Sequence, residues 1–443
     1  MKNLNKMHED HFLKIFFTCF SLSFIIASGF MPDVDQLTEG LLRIMNSPTK
    51  AATNFFDVGG YAATFMNMGL VGLICTCLYC IPGRQANNAA TLVTLLTVGF
   101  GSWGIHILNI WPTILGEKLG SRTNAMLFST GLAPFMSELM VRYPYPETVG
   151  IHPSGVALAL IVGVFVGYFL PAGLDNSPKI HKGFALYSAA LPIGMTAFLL
   201  NGFLYKAMGV PVPDAVSDLS VADPAICNTF CIVLFVGFIV VALLMGCSPK
   251  HYIQSILSPQ HVVHFGASFG NAAMLMNAGV FGLFILGYFN FVGAEFNGIV
   301  FGSVFCMLST CNSGSHPLNA IPILMGYAFA EFFFQTMTPF SGGEVTHLLH
   351  SQSLIVGICY ANGLSPIAHE YGWRYGILVA AMHFCMVTTT PQLHGGMCLY
   401  NGGFTAALVC LLILPGMERH FRTKHERRSS YQKPKLRMAP TKH

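Results

Sequence analysis

The chain has 443 residues, 53% hydrophobic and 9% charged, with a mean hydropathy of +0.57 and a formal charge of +4 at pH 7. Soluble globular chains are about a quarter charged, so this composition excludes that class and implies an all-α polytopic membrane protein in contact with the lipid bilayer. Nine of the 23 Lys and Arg fall between Arg419 and Lys442, so the charge reflects the C-terminal end: residues 418–443 read as a basic cytoplasmic tail rather than a nucleic-acid-binding arm.

Taken in chain order, the first half offers seven apolar segments, at about 11–31, 61–82, 88–104, 105–117, 124–141, 153–172 and 183–206. The first has Lys14 at its head and no small-residue cleavage site, so it reads as a retained helix, not a signal peptide. The second ends in Cys75, Cys77 and Cys80, which include a C-x-x-C spacing. Without a neighbouring His, acid or second pair, these read as buried small hydrophobes, and neither a metal nor a cofactor is expected. A loop with Asp214, Asp218 and Asp223 follows, and then the pattern starts again.

The restart is a duplication. "SWGIHILNIWPTILG" (102–116) precedes "NSGSHPLNAIPILMG" (312–326) by 210 residues, pairing His106 with His316, Asn109 with Asn319 and Pro112 with Pro322. The same offset aligns "GYAATFMNMGLVGL" (60–73) with "GNAAMLMNAGVFGL" (270–283), eight of fourteen positions being identical, Asn67 and Asn277 among them. "APFMSEL" set against "TPFSGGEV" brings Glu138 near Glu344. "HKGFALY" and "HGGMCLY" pair His181 with His394 and Tyr187 with Tyr400, which Asn401 follows. The expected organisation is a first membrane repeat over 1–210 (core about 40–205), an extracytoplasmic linker at 211–223, a second repeat over 224–417, and the tail.

Seven crossings per half would make the two copies inverted repeats and return both termini to the cytoplasm, in agreement with the positive-inside rule. Should 105–117 only dip into the membrane, each half would cross six times and the repeats would be parallel. A broken helix is expected in either case. His and Asn three apart share a helix face, and the following Pro frees backbone carbonyls beside the amide. Two readings stay open for this motif: a half-helix contacting a solute or ion, or a Pro kink with His and Asn as interhelical glue. The two motifs are expected to face one another across the middle of the protein. Asn67 and Asn277 would cross-link helices or line a path, with glycines at 69, 72, 279 and 282 allowing close approach. Glu138 and Glu344 are candidate charge partners for a cation or proton, or interfacial residues.

With these motifs in hand, the chain resembles a bacterial membrane-protein family catalogued as domain of unknown function 1576, through "NSPTKAATNFFDVGGYAATFMNMGL", "HILNIWPTILG" with its echo "HPLNAIPILMG", and "LHGGMCLYNGGFTAALV". The resemblance covers about residues 40–415 and implies a duplicated polytopic unit, with no activity or site residues attached. Seven-plus-seven inverted repeats are also similar in architecture to uracil-permease-type transporters, and "LYNGGFTAALV" to the Tyr-Asn-Gly segments of urea channels. Neither analogy fixes function.

The functional expectation is a plasma- or inner-membrane transporter for a small-molecule or ion substrate, compatible with homo-oligomers. Its site would lie at the repeat interface and be built from His106, Asn109, Pro112, His316, Asn319 and Pro322, with Asn67, Asn277, Glu138, Glu344, Tyr187, Tyr400 and Asn401 as further candidates. His106 and His316 would serve gating or proton coupling. A passive channel for a small neutral solute is the alternative. An intramembrane enzyme is less expected, since no H-E-x-x-H or G-x-S-x-G is present and no catalytic residue is assigned.

Overall fold

The computed structural model describes residues 2–50, 53–116, 123–145, 147–214, 222–258, 264–344 and 347–423. Lys118, Arg122, Asp218 and most of the basic tail lie outside them. All regular structure among the described residues is helical. The first half runs α1 (Glu9–Ser28), α2 (Leu37–Asn46), α3 (Phe55–Cys80), α4 (Asn88–Phe100), α5 (Trp111–Gly116), α6 (Thr123–Ser129), α7 (Ala133–Val141), α8 (Pro153–His181) and α9 (Ala190–Asn201). The second runs α10 (Pro224–Leu244), α11 (Pro249–Ile256), α12 (Asn271–Phe291), α13 (Gly298–Leu308), α14 (Pro317–Met337), α15 (Gln352–Ala361), α16 (Ser365–Glu370), α17 (Trp373–Val387) and α18 (Asn401–His420).

Seven of the described helices are long and apolar enough to cross a bilayer: α1, α3, α8, α10, α12, α14 and α18. Crossing about 30 Å of hydrocarbon takes about 20 helical residues. The apolar stretches at 88–104, 105–117 and 124–141 instead break into α4 of 13 residues, α5, described up to Gly116, and α6 with α7. They are the expected broken helices; α4, α6 and α7 are buried almost throughout, while α5 exposes Trp111 and Leu115. The outer face of α10 exposes Ile232, Val233, Val236 and Val240, the apolar surface a lipid-facing helix presents.

The duplication is visible bond for bond. Near the start of α3, Gly60 breaks the helix with φ +86°, and the Asp33 side chain accepts the Ala62 N–H at 2.9 Å. In the second copy Gly270 takes φ +93°, and Asn5 accepts the Ala272 N–H at 3.0 Å. Asn87 and Asn297 cap α4 and α13 through the N–H groups of Ala90 (3.1 Å) and Val300 (2.9 Å). Hairpin packing repeats as well. A Cβ on Gly72 would lie 2.3 Å from Ser21 Oγ, and one on Gly282 would lie 2.6 Å from the Phe235 ring. In a bilayer such close contact, rather than water exclusion, is what draws helices together.

Equivalent helices of the two halves meet antiparallel. Just beyond the end of α4, Ser102 Oγ donates to Gly298 O, at the start of α13, over 2.6 Å. Thr91, near the start of α4, accepts from Asn312, just past α13, at 3.2 Å. Between these ends the backbones touch at Gly99 and Gly302, where a Cβ on Gly302 would lie 2.2 Å from Gly99 O. α1 and α10 cross in the same sense, with Phe16 on Phe238 (ring centroids 5.4 Å apart) and Phe24 on Phe230 (4.7 Å). Each aromatic pair is worth about 0.5–1.5 kcal/mol beyond its buried area.

Candidate functional site

The His-x-x-Asn motifs do not place His and Asn side by side on a helix. His316 is the N-cap of α14 and His106 opens the turns that lead into α5, and each Asn reaches back to its own His. Asn109 Oδ1 accepts the His106 N–H at 2.8 Å, and Asn319 Oδ1 accepts the His316 N–H at 2.9 Å. The same amides donate to Gly104 O (3.0 Å) and Gly314 O (2.9 Å). Asn109 gives its remaining amide hydrogen to Thr49 Oγ1 at 3.2 Å, so both are committed. Asn67 donates to Gly101 O and Ile105 O at 2.7 and 2.8 Å, and Asn277 to Cys311 O and Ser315 O at 2.9 and 2.8 Å. Carbonyls released by a break in a buried helix must find donors, and two asparagines per half supply them.

The prolines do not cause the breaks. Pro112 lies in the first turn of α5, where a missing N–H costs nothing, and α14 continues through Pro322. They sit at crossings with glycines: a Cβ on Gly163 would lie 2.1 Å from Pro112 O, and one on Gly376 would lie 2.9 Å from Pro322 Cβ. Nor do the two motifs face each other. His106 Nε2 lies 3.4 Å from Ser137 Oγ, and the His316 ring packs against His369 at 6.4 Å, each within its own half.

Glu138 is fully buried, and Arg142 grips it with two bonds of 2.6 Å. Its expected partner Glu344 is exposed in the loop after α14. The counterpart of Glu138 is Glu370, because "TGLAPFMSE" (130–138) and "NGLSPIAHE" (362–370) form the same 3-10 turn and short helix. The similarity of "APF" to "TPF" is local and misplaces the second acid. Arg142 also donates to Asp214 O at 2.8 Å, and Lys50 donates to Pro213 O, so residues 213–214 after the first repeat are pinned to it.

Tyr187 and Tyr400, rather than the His-x-x-Asn motifs, reach across between the halves, each seated on a glycine of the opposite half and each packed on Tyr360 (ring centroids 4.9 and 6.5 Å). A Cβ on Gly363 would lie 2.6 Å from the Tyr187 ring, and one on Gly131 would lie 2.1 Å from the Tyr400 ring. Beside them Leu186 N–H donates to Gly363 O (2.9 Å) and Leu399 N–H to Gly131 O (3.1 Å). The Tyr187 hydroxyl donates to Cys306 O at 2.9 Å. That of Tyr400 is buried and has no hydrogen-bond partner among the described residues.

Two cavities flank this layer. One, of about 610 Å³, is lined by Lys50, Trp103, Asn201, Lys206, His394 and Asn401 among others. The second, of about 550 Å³, includes Arg84, Asn124, Asp175, Ser188 and Ser313. Their walls are repeat equivalents. Trp103 corresponds to Ser313, while Leu399, Asn401 and Pro391 correspond to Leu186, Ser188 and Pro178. The tyrosine layer adjoins both: Leu399 and Asn401, on either side of Tyr400, line the Lys50 cavity, Leu186 and Ser188, on either side of Tyr187, line the Arg84 cavity, and the Tyr400 ring packs on Phe128 (6.2 Å) of the latter. Burial lowers the Lys50 ammonium from its ordinary value, opposed by the charges of Glu138 and Asp214. Burial likewise holds His394 at about 4, so its imidazole is neutral near pH 7, with Nδ1 3.1 Å from Asn401 Oδ1.

The sequence reading passed over Lys50, Asn201, Lys206 and Trp103. A lone Lys in "NSPTKAATNFF", between apolar helices, was the available signal. The thirteen cysteines are free thiols, and among the described residues no group of three or more His, Cys, Asp or Glu is placed to hold a metal.

These features define a multi-pass, all-helical membrane protein built from two copies of one unit. Residues 34–206 and 250–419 each match the model of the family described as Protein of unknown function (DUF1576), and the chain belongs to that family. No curated protein and no solved structure matches it.

Proposed function

We propose that the protein is a plasma- or inner-membrane transporter for a small polar solute, ion- or proton-coupled, with its site at the interface of two inverted repeats and both termini cytoplasmic. The observation that carries this reading is the pair of cavities on repeat-equivalent walls, both adjoining the buried layer of Tyr187, Tyr360 and Tyr400. The antiparallel meeting of α4 with α13 and of α1 with α10 supports inversion. Inverted copies place equivalent cavities on opposite membrane faces, as alternating access requires. A permanently open channel fits less well, because the layer holding Tyr187, Tyr360 and Tyr400 is closed.

The test is solute flux in proteoliposomes, read with a panel of small polar solutes under an imposed proton or sodium gradient. Uptake that collapses when an ionophore removes the gradient supports the transporter. Equal downhill flux with and without a gradient overturns it in favour of a passive channel.

A further inference from the structure

The two cavities share walls but not charge. Lys50 is 8% exposed, and among the described residues its ammonium donates one hydrogen bond, to the Pro213 carbonyl, which carries no charge to balance it. The nearby carboxylate of Glu138 is already held through both oxygens by Arg142. Among the described residues, setting Lys50, Lys206 and Arg142 against Glu138 and Asp214 gives three positive charges to two negative, an excess of one beside the cavity. Among the described residues the other cavity is lined by one charge of each sign, Arg84 and Asp175.

The neutral groups lean the same way. Gln352 accepts through Oε1 from Asn297 at 2.7 Å, and its amide NH₂ makes no hydrogen bond among the described residues. Asn401 is engaged through Oδ1 by His394, and its NH₂ is likewise unused. One acceptor stands out. Asn201, 4% exposed, donates to Leu393 O, while its Oδ1 is buried without a partner and points at Gly395. Gly395 and Gly396 take φ +58° and +72°, and their missing side chains leave room beside Asn201 and along the Lys50 stem. A buried cation with no carboxylate in direct contact and a buried acceptor without a donor are each costly when empty, and one ligand can satisfy both.

We infer that the Lys50 cavity binds a small oxyanion that carries its own hydrogen-bond donor, a hydroxycarboxylate or hydrogen phosphate. The anionic end meets Lys50, Lys206 and the two amides, and the O–H donates to Asn201 Oδ1. This names the cargo of the proposed transporter and rests on that reading for its physiological meaning, but binding itself needs no bilayer.

The experiment measures binding calorimetrically to the full chain in detergent, with lactate, inorganic phosphate, acetate and neutral lactamide as probes. Lactate or phosphate should bind saturably, lactamide at least about tenfold more weakly, and acetate in between. Lys50→Gln should abolish binding. Because that change also alters a buried cluster, Lys206→Gln, at an exposed position, serves as the folded control and should weaken binding several-fold. Whichever of lactate and phosphate binds tighter identifies the oxyanion. Lactamide binding as tightly as lactate, or wild-type affinity in both lysine variants, overturns the inference. Saturable oxyanion binding without flux in proteoliposomes leaves this site standing and removes the transporter. Gradient-driven uptake of lactamide that neither lactate nor phosphate inhibits does the reverse.

Discussion

At the capped loops the two halves make the same bonds: Asn67 and Asn277 each hold two carbonyls, and Asn109 and Asn319 each close a turn on a histidine. At the cavities the same alignment sets Trp103 against Ser313, Asn401 against Ser188 and Thr388 against Asp175. The frame obeys a requirement that is identical in both copies, because a carbonyl freed inside a membrane protein needs a donor wherever it lies. No such requirement binds the cavity walls, and their chemistry has diverged. Duplication thus preserved the scaffold while leaving each cavity its own lining.

The strongest challenge to this contrast is Glu138→Gln. It leaves Arg142 as an uncompensated buried cation and should cost about 3–5 kcal/mol, read as a large fall in melting temperature of the purified protein. Glu370→Gln, at the equivalent but half-buried position, should cost clearly less. Equal losses would show that the two acids do the same work and that this part of the frame is symmetric after all.

Next come the asparagines. Asn67→Ala and Asn277→Ala each strip donors from two buried carbonyls, at about 1–3 kcal/mol per orphaned group. Asn277 also accepts from the Tyr252 hydroxyl at 3.1 Å, so its replacement should be the more damaging of the two. Melting curves that leave both variants at the wild-type temperature would refute the structural role and return these amides to the list of solute ligands. Gly302→Ala should follow at about 1–3 kcal/mol, through overpacking against Gly99 O.

Much of this frame was legible in the sequence, because repetition at a fixed offset needs no knowledge of contacts. The 210-residue spacing located both capped loops and all four asparagines, and composition alone required a bilayer. What the amides bind was not legible. A side chain folding back onto its own backbone leaves the same His-x-x-Asn pattern as one facing a ligand. Glu370 was hidden because His316 and Glu370 stand 54 positions apart and His106 and Glu138 only 32, an insertion of 22 that carries the alignment off register at "APF" and "TPF". The cavities were invisible for a further reason. Lys50, Asn201 and His394 lie far apart in the chain and come together only through the docking of one half's tyrosine on the other half's glycine.

The smallest expected effect bears most directly on the cavities. Ser188 and Asn401 are repeat equivalents, and each touches the histidine of its own loop: Ser188 Oγ lies 2.8 Å from His181 Nε2, and Asn401 Oδ1 lies 3.1 Å from His394 Nδ1. Exchanging them, as Ser188→Asn with Asn401→Ser, disturbs at most one neutral hydrogen bond per loop and should cost about 1 kcal/mol or less each. The frame is untouched, since Tyr187 and Tyr400 dock through rings and backbone beside these positions. What moves is an amide donor, from the cavity beside Lys50 to the one beside Arg84. If the linings set selectivity, the doubly substituted protein keeps its melting temperature within a few degrees and shifts its affinity among lactate, phosphate and lactamide. An unchanged binding profile would mean that position 401 adds nothing to selection, and that what distinguishes the cavities rests on Lys50 and Lys206.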